Sequence, residues 1–466
     1  MLRLGNIRRI LAISVVFFCL VGQYDLVSAE ESSNYYTIML KNEKDFTSFR
    51  EETQQFGIDV VYEIEEIGLI QVKATPKELA LLERNPEVEK ANLSIRAVKE
   101  ETLPEATSLP LPSLWHLQWD MQDVTENGKS YNVYSGSKDV TVGIIDSGIT
   151  PSHNDLKENL VPGSKNLVPV NGFRGEEPNE TGDITAIQDL TGHGTHVAGQ
   201  IAANGYMKGV APEIGIKSYR VFGSQSADSI WIIKAIIEAA NDDVDVINLS
   251  LGSYLIKGKT FSNGESSKEE LAEIKAYQKA VKYAQKKGSV VVAAAGNDSL
   301  DVKDKEEMSE FIQEKLDEDG VTFKGKGFDI PAALPGVVTV SSTGPSDELS
   351  VFSNYGKGFV DIAAPGGDYR YLQEFGGEKW VSEGWMQKEQ ILSTAPNGAY
   401  FYSSGTSIAT PKVAGALALI IDKYDYEDKP NKSIHHLYKY GIEEGSRHNK
   451  EELGNGELDL LEALSH

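Results

Sequence analysis

Hydrophobic and polar positions alternate along residues 35–95 with two different periods. Residues 36–40 form a β-like run, and Phe46, Phe49 and Phe56 then recur at roughly helical spacing over 44–56. Period-two alternation returns over 58–64 and 69–74. Thr75-Pro76-Lys77-Glu78 supplies an N-cap, a first-turn proline and an acid, which predicts a helix through Glu83. Residues 88–93 add another strand. The order β-α-β-β-α-β is that of a small ferredoxin-like α+β sandwich. Residues 97–114 hold Pro104, Pro110 and Pro112 among polar residues and read as a linker.

From residue 115 to 466 buried-type strands alternate with helical stretches. The pattern predicts strands at 139–145, 216–221, 244–249 and 289–295, with helices at 195–203, 229–240 and 269–287. Such alternation predicts an α/β domain: a parallel sheet with helices on both faces. Catalytic groups in these sheets gather at the carboxyl ends of strands.

The N-terminus and the charge narrow the picture. Arg3, Arg8 and Arg9 precede an apolar run at 10–22, and Val27-Ser28-Ala29 offers small residues before Glu30. Residues 1–29 therefore read as a secretory signal; the competing reading is an uncleaved anchor, for which the run is short. The only cysteine, Cys19, lies inside this run, which excludes a disulfide framework and a Cys-based metal site. With 45 Lys+Arg against 70 Asp+Glu the formal net charge is −25, which argues against a nucleic-acid partner. No second apolar run of membrane length occurs, so no stable membrane anchor is expected.

Three polar clusters carry candidate chemistry. In Val142-Gly143-Ile144-Ile145-Asp146-Ser147-Gly148 a carboxylate follows a buried strand. Taken alone, Asp146 is a turn or cap residue. In Gly192-His193-Gly194-Thr195-His196 glycines flank an imidazole at a helix start; the two histidines could be metal ligands, but no Glu lies between them as a zincin helix requires. In Ser404-Gly405-Thr406-Ser407-Ile408-Ala409-Thr410-Pro411 a serine enters a helix of small residues, whose free N–H groups can hold an oxyanion. Pro411 is tolerated only within roughly the first turn. Alone, this segment is a Ser/Thr cap. Together, Asp146, His193 and Ser407 are the orienting acid, the base and the nucleophile of a triad.

At these residues the chain resembles the subtilisin family of serine endopeptidases, over about residues 115–466. The resemblance implies a subtilisin-like fold and acyl-enzyme peptide hydrolysis by Asp146, His193 and Ser407. It gives Asn297, at the end of Val290-Val291-Val292-Ala293-Ala294-Ala295-Gly296-Asn297, the role of oxyanion donor beside the Ser407 N–H. It makes Ser250, Leu251 and Gly252 the edge against which an extended peptide substrate pairs, with Ala294 and Gly296 also binding substrate. It sets Asp329, in Phe328-Asp329-Ile330-Pro331-Ala332, at the floor of the pocket for the residue before the cut, where a carboxylate favours Arg over Lys. The bland reading of Asp329 is a solvated loop acid. The acid-rich segment 299–327, with Met308, Phe311, Ile312 and Leu316 at helical spacing, predicts a surface helix that either rims the cleft or merely decorates it.

The family usually binds structural Ca²⁺, and Asp155 in His153-Asn154-Asp155-Leu156 matches one such ligand, although the loop at 204–208 looks shorter than in calcium-binding members. No cofactor is implied for catalysis. Residues 30–96 resemble the family's propeptide, a folding aid and transient inhibitor, with Arg96 in Ser94-Ile95-Arg96-Ala97 a candidate self-cleavage point and the linker 97–107 a competing one. The acidic insertion, the choice of a basic residue before the cut, the short secreted architecture and the absence of disulfides resemble the lantibiotic leader peptidases of Gram-positive bacteria, most of all the epidermin type. That resemblance implies a secreted monomer acting on a lantibiotic precursor. The alternatives are a general degradative or zymogen-activating subtilisin and a catalytically dead scaffold.

Overall fold

A computed structural model of the chain describes residues 33–98, 113–224, 226–262, 265–267, 271–317, 320–443, 446 and 449–466. The expected signal segment with Cys19 and residues 99–112 of the expected linker lie outside them.

The N-terminal module has the order read from the sequence. Strands Asn34–Leu40, Asp59–Ile64, Leu69–Ala74 and Val88–Leu93 form an antiparallel sheet in which the first strand lies between the third and the fourth. Alternation separates the two faces. Ile38, Leu40, Ile70 and Val72 bury with Phe46 and Phe49, whereas Met39, Ile64 and Leu69 enter the core of the large module. Helix Pro76–Leu82 begins with a full capping box: Glu78 N–H donates to Thr75 Oγ1 and Thr75 N–H to Glu78 Oε2.

The large module is built on a seven-stranded sheet, parallel throughout. From one edge its strands are Ile362–Pro365, Val337–Thr343, Val290–Ala294, Val246–Leu249, Thr141–Asp146, Gly215–Arg220 and Lys165–Asn166. Both faces are covered, so the central strands read as continuous hydrophobic runs. Val142, Ile144, Val246, Val290 and Val292 pack with helices His193–Ala202 and Thr406–Tyr424. Ile145, Ile247, Leu249, Val291 and Ala293 pack with helices Ser229–Asn241 and Leu271–Lys286 on the opposite face.

The N-terminal module rests on the second pair of helices. Lys279 Nζ donates to the carbonyls of Ile67 at 2.9 Å and Leu40 at 3.3 Å, and Ala272 N–H to Asn92 Oδ1 at 3.0 Å. Gln71 Nε2 donates at 2.8 Å to Asp228 Oδ2, the cap of the Ser229–Asn241 helix.

One local expectation changes, and two further features lie outside the pattern read from the sequence. The linker begins as a strand: Arg96–Val98 pairs antiparallel with Ser226–Asp228, an edge pairing that local polarity does not reveal. The Arg96–Ala97 bond lies inside this pair, with Arg96 Nε donating to Ser226 Oγ at 3.0 Å. Residues 253–262 form a long strand antiparallel to Thr322–Ile330, and helix Lys305–Asp317 packs Met308, Ile312 and Leu316 against Tyr254 and Ile256 of it. The apolar stripe of segment 299–327 thus covers this extra sheet. Three short helices, Arg370–Phe375, Gly377–Ser382 and Trp385–Glu389, follow Pro365, held by packing among Tyr369, Tyr371, Phe375, Trp380 and Trp385.

Candidate active site

Asp146 ends a buried parallel strand, and His193 is the first residue of the helix His193–Ala202. His193 Nδ1 lies 2.9 and 3.0 Å from the two oxygens of Asp146, and the carboxylate is 2 % exposed. An acceptor at that distance holds the proton on Nδ1 and leaves Nε2 as the basic nitrogen. Only glycine fits after His193: a Cβ at Gly194 would sit 2.1 Å from the Gly148 carbonyl and 3.1 Å from Asp146 Oδ1.

Asp189 braces this pair, and the sequence pattern does not single it out. Its Oδ1 accepts from Gly192 N–H at 2.8 Å and Ser147 Oγ at 2.9 Å; its Oδ2 accepts from Thr195 N–H at 2.8 Å. It caps the His193 helix four residues ahead of it, an acid-before-helix signal visible in hindsight. His196 points elsewhere. It is fully buried, its Nε2 faces the Ile391 carbonyl at 3.3 Å, and burial, then His193, push its pKa well down. The two histidines do not form a metal pair.

Ser407 is the second residue of the helix Thr406–Tyr424, and its N–H belongs to the turn that has no intrahelical acceptor. A Cβ at Gly405 would lie 3.0 Å from Ser407 Oγ and 3.2 Å from Asn297 Nδ2, so the hydroxyl and the amide converge beside a position kept bare. Asn297 Oδ1 accepts from both the N–H and the Oγ1 of Thr406, each at 2.9 Å. Those donors fix the amide's orientation and leave Nδ2 as its outward donor. Pro411 is the sixth residue of this helix, deeper than the first turn expected. Proline has no N–H for the carbonyl four residues back, here Ser407, and Ser250 Oγ donates to that carbonyl at 2.7 Å instead. The Ser250 hydroxyl therefore faces the backbone of Ser407 itself.

The two halves are tied together through buried contacts. Lys412 Nζ donates to Gln200 Oε1 at 2.6 Å between the two helices, and pairs with Asp120 Oδ2 at 2.9 Å.

Asp329 is buried rather than a solvated loop acid. Strand register sets Tyr254 against Asp329 and so brings Gly252 beside it. A Cβ at Gly252 would be 3.3 Å from Asp329 Oδ1, and one at Gly296 3.2 Å from Asp329 Oδ2. The carboxylate thus lies between the segments Ser250-Leu251-Gly252 and Ala294-Ala295-Gly296. Leu251 and Ala294 are buried in those walls. Asn354 Nδ2 donates to Asp329 Oδ2 over a long 3.4 Å. Asp298 adds a second, half-buried acid, whose Oδ2 accepts from Tyr254 Oη at 2.8 Å. Burial, with the Asp298 charge added, holds the Asp329 carboxyl well above its usual range, and burial raises Asp298 to about 6.

Asp155 does not fit the expected Ca²⁺. Its oxygens accept from the N–H groups of Tyr206 at 3.0 Å and Met207 at 3.1 Å and from Tyr400 Oη at 3.0 Å. The shortened loop aims donors at the carboxylate where a cation would need oxygen ligands. Among the described residues no group of three metal-ligating side chains includes it.

Comparison with known proteins identifies the family. The model of the Subtilase family matches residues 137–456. The epidermin leader peptide-processing serine protease EpiP of Staphylococcus epidermidis is 42% identical over 462 residues, 97% of each chain. The nisin leader peptide-processing serine protease NisP of Lactococcus lactis subsp. lactis is 42% identical over 373 residues, 78% of this chain and 53% of its own. The crystal structure of the epidermin leader peptide processing serine protease from Staphylococcus aureus superposes with a TM-score of 0.82 at 43% identity, covering 93% of this chain and 98% of its own. On this match, over most of its length and in its fold, the chain belongs to the subtilase family and is a serine protease.

Proposed function

We propose that this protein removes the leader from a lantibiotic precursor by cutting after arginine. In this reading His193 Nε2 takes the Ser407 hydroxyl proton as Oγ bonds to the scissile carbonyl carbon. Asn297 Nδ2 and the Ser407 N–H hold the negative oxygen of the tetrahedral intermediate. The C–N bond then breaks, the imidazolium gives its proton to the departing amine, and water attacks the acyl-enzyme by the same base to release the acid. Asp146 keeps the imidazole in the tautomer this requires and stabilises its charged form.

The observation that carries the choice of substrate is the buried Asp329 carboxylate between Gly252 and Gly296. A planar guanidinium can pair with a carboxylate through two hydrogen bonds, which a lysine ammonium cannot match. Similarity to EpiP along 97% of the chain, N-terminal module included, supports the leader-peptidase reading over a general degradative one. The same reading makes the N-terminal module a propeptide that inhibits until removed, delivered outside a Gram-positive cell by the residue 1–29 signal, with the mature enzyme a monomer.

An unbiased peptide library tests it, with mature enzyme and its Ser407→Ala control. Expected is cleavage after Arg, absent from the control, together with cutting of an epidermin- or nisin-type precursor at the leader junction. Broad cleavage after apolar residues would instead support a degradative subtilisin. No cleavage by either form would support the dead scaffold.

A further inference from the structure

We propose that Asp123, Asp347 and Glu457 form a Ca²⁺ site that fastens the C-terminal segment to the open edge of the parallel sheet. One oxygen from each lies within 4.8 Å of the others. They come from three distant parts of the chain: the helix Trp119–Val124, the turn after the strand Val337–Thr343, and the C-terminal segment that bridges to Ala363 of the edge strand.

A group of acids is not by itself a site; Glu457 supplies the second observation. It is 3 % exposed, and its Oε2 is buried with no hydrogen-bond partner. Its Oε1 accepts from Thr343 Oγ1, and its backbone is fixed by Glu457 N–H donating to Ser446 Oγ at 2.8 Å. The side chain is therefore anchored through Oε1, and its second oxygen is left bare. A buried acceptor left so is costly unless a cation or a donor meets it. The charges that raise the Glu457 carboxyl are those of Asp347, Asp123 and Glu443. Burial, with those charges added, raises its carboxyl to about 8.

The donor set selects the cation. Three carboxylates with no His or Cys suit a hard ion. Ca²⁺ binds oxygen at about 2.3–2.6 Å, so its ligands can stand up to about 5 Å apart, whereas the Mg²⁺ limit is about 4.2 Å. Three oxygens within 4.8 Å of one another fit the shell of one Ca²⁺, whose flexible geometry tolerates ligands that the fold spaces unevenly. Asp123 and Asp347 are exposed, so water can complete the shell.

The test uses full-length Ser407→Ala protein, which cannot digest itself, stripped with EDTA and titrated with CaCl₂ or MgCl₂. Ca²⁺ is expected to raise the unfolding midpoint by several degrees and Mg²⁺ by less. Glu457→Gln and Asp347→Asn should each weaken Ca²⁺ binding in calorimetry by about tenfold or more, because affinity follows the number of ligand charges. Should Glu457→Gln fail to fold, the exposed Asp347→Asn carries the test. A midpoint unmoved by Ca²⁺ overturns the proposal, as does a shift kept by Asp347→Asn but lost in Asp155→Asn.

Discussion

The Ser250 hydroxyl donates to the Ser407 carbonyl at 2.7 Å, the carbonyl that Pro411 leaves without a helix partner. Asn248 Nδ2, 3.0 Å from Ser250 Oγ, holds the hydroxyl in place. The Ser407 peptide is thus clamped from the segment that follows the strand Val246–Leu249. Ser250→Ala should orphan this buried carbonyl and cost about 1–3 kcal/mol in urea unfolding. Adding Pro411→Ala returns an N–H to the same carbonyl and should recover much of the loss. A double variant no more stable than Ser250→Ala would remove this account.

Asn297 and Thr406 form the second clamp. As in subtilisin, from which both magnitudes are carried over, Ser407→Ala should cost about 10⁶ in kcat and Asn297→Ala about 10²–10³. Thr406→Val removes one of the two donors to Asn297 Oδ1 and the acceptor that Gly296 N–H uses at 3.1 Å. It should lower kcat by about tenfold with KM nearly unchanged, since the amide matters most in the transition state. Steady-state kinetics on a leader-junction peptide decide it; a pure KM effect would contradict the oxyanion role.

Asp329 makes two pH predictions with opposite signs. An arginine side chain pairs with the ionised carboxylate, so kcat/KM for Arg substrates should fall as pH drops and the raised carboxyl takes up a proton. Asp329→Gly should lose both the Arg preference and this pH dependence. Stability runs the other way. An acid whose folded pKa is raised adds stability below its unfolded pKa, near 4, and loses it as pH rises through the folded value. Asp329→Asn should therefore raise the unfolding midpoint at neutral pH and gain little near pH 4. A pH series of melting curves checks both limbs.

Lys412 and Asp120 form an ion pair in which both side chains are 0% exposed. Lys412→Met leaves Asp120 buried without its cation and should destabilise by about 3–5 kcal/mol. Replacing both with apolar residues of similar volume should restore most of that. Chemical denaturation of the two single variants and the double gives the coupling directly; purely additive losses would mean the pair is not coupled.

Much of the molecule is legible locally. The Thr75–Glu78 capping box, the alternation of the N-terminal strands and the glycine-flanked Asp146, His193 and Ser407 are short-range patterns, each set by backbone requirements within a few residues. The apolar stripe of Met308, Ile312 and Leu316 likewise predicts its helix, though not what the stripe covers. The residues that complete the site depend on register between distant segments. Asp189 braces His193 through Ser147, 42 residues away in sequence. Asp329 reaches the cleft because Tyr254 pairs with it across a strand the local pattern does not announce.

Sequence by itself determined which side chains are available as acid, base and nucleophile, and which of them stand beside glycine. Tertiary structure alone decided where each oxygen points. It turned the Ser250 hydroxyl inward to Ser407, filled Asp155 with N–H donors, and gathered Asp123, Asp347 and Glu457 at one sheet edge. The reason is physical. A residue's type fixes what it can donate or accept, but its partners are chosen by packing, and packing joins segments hundreds of positions apart.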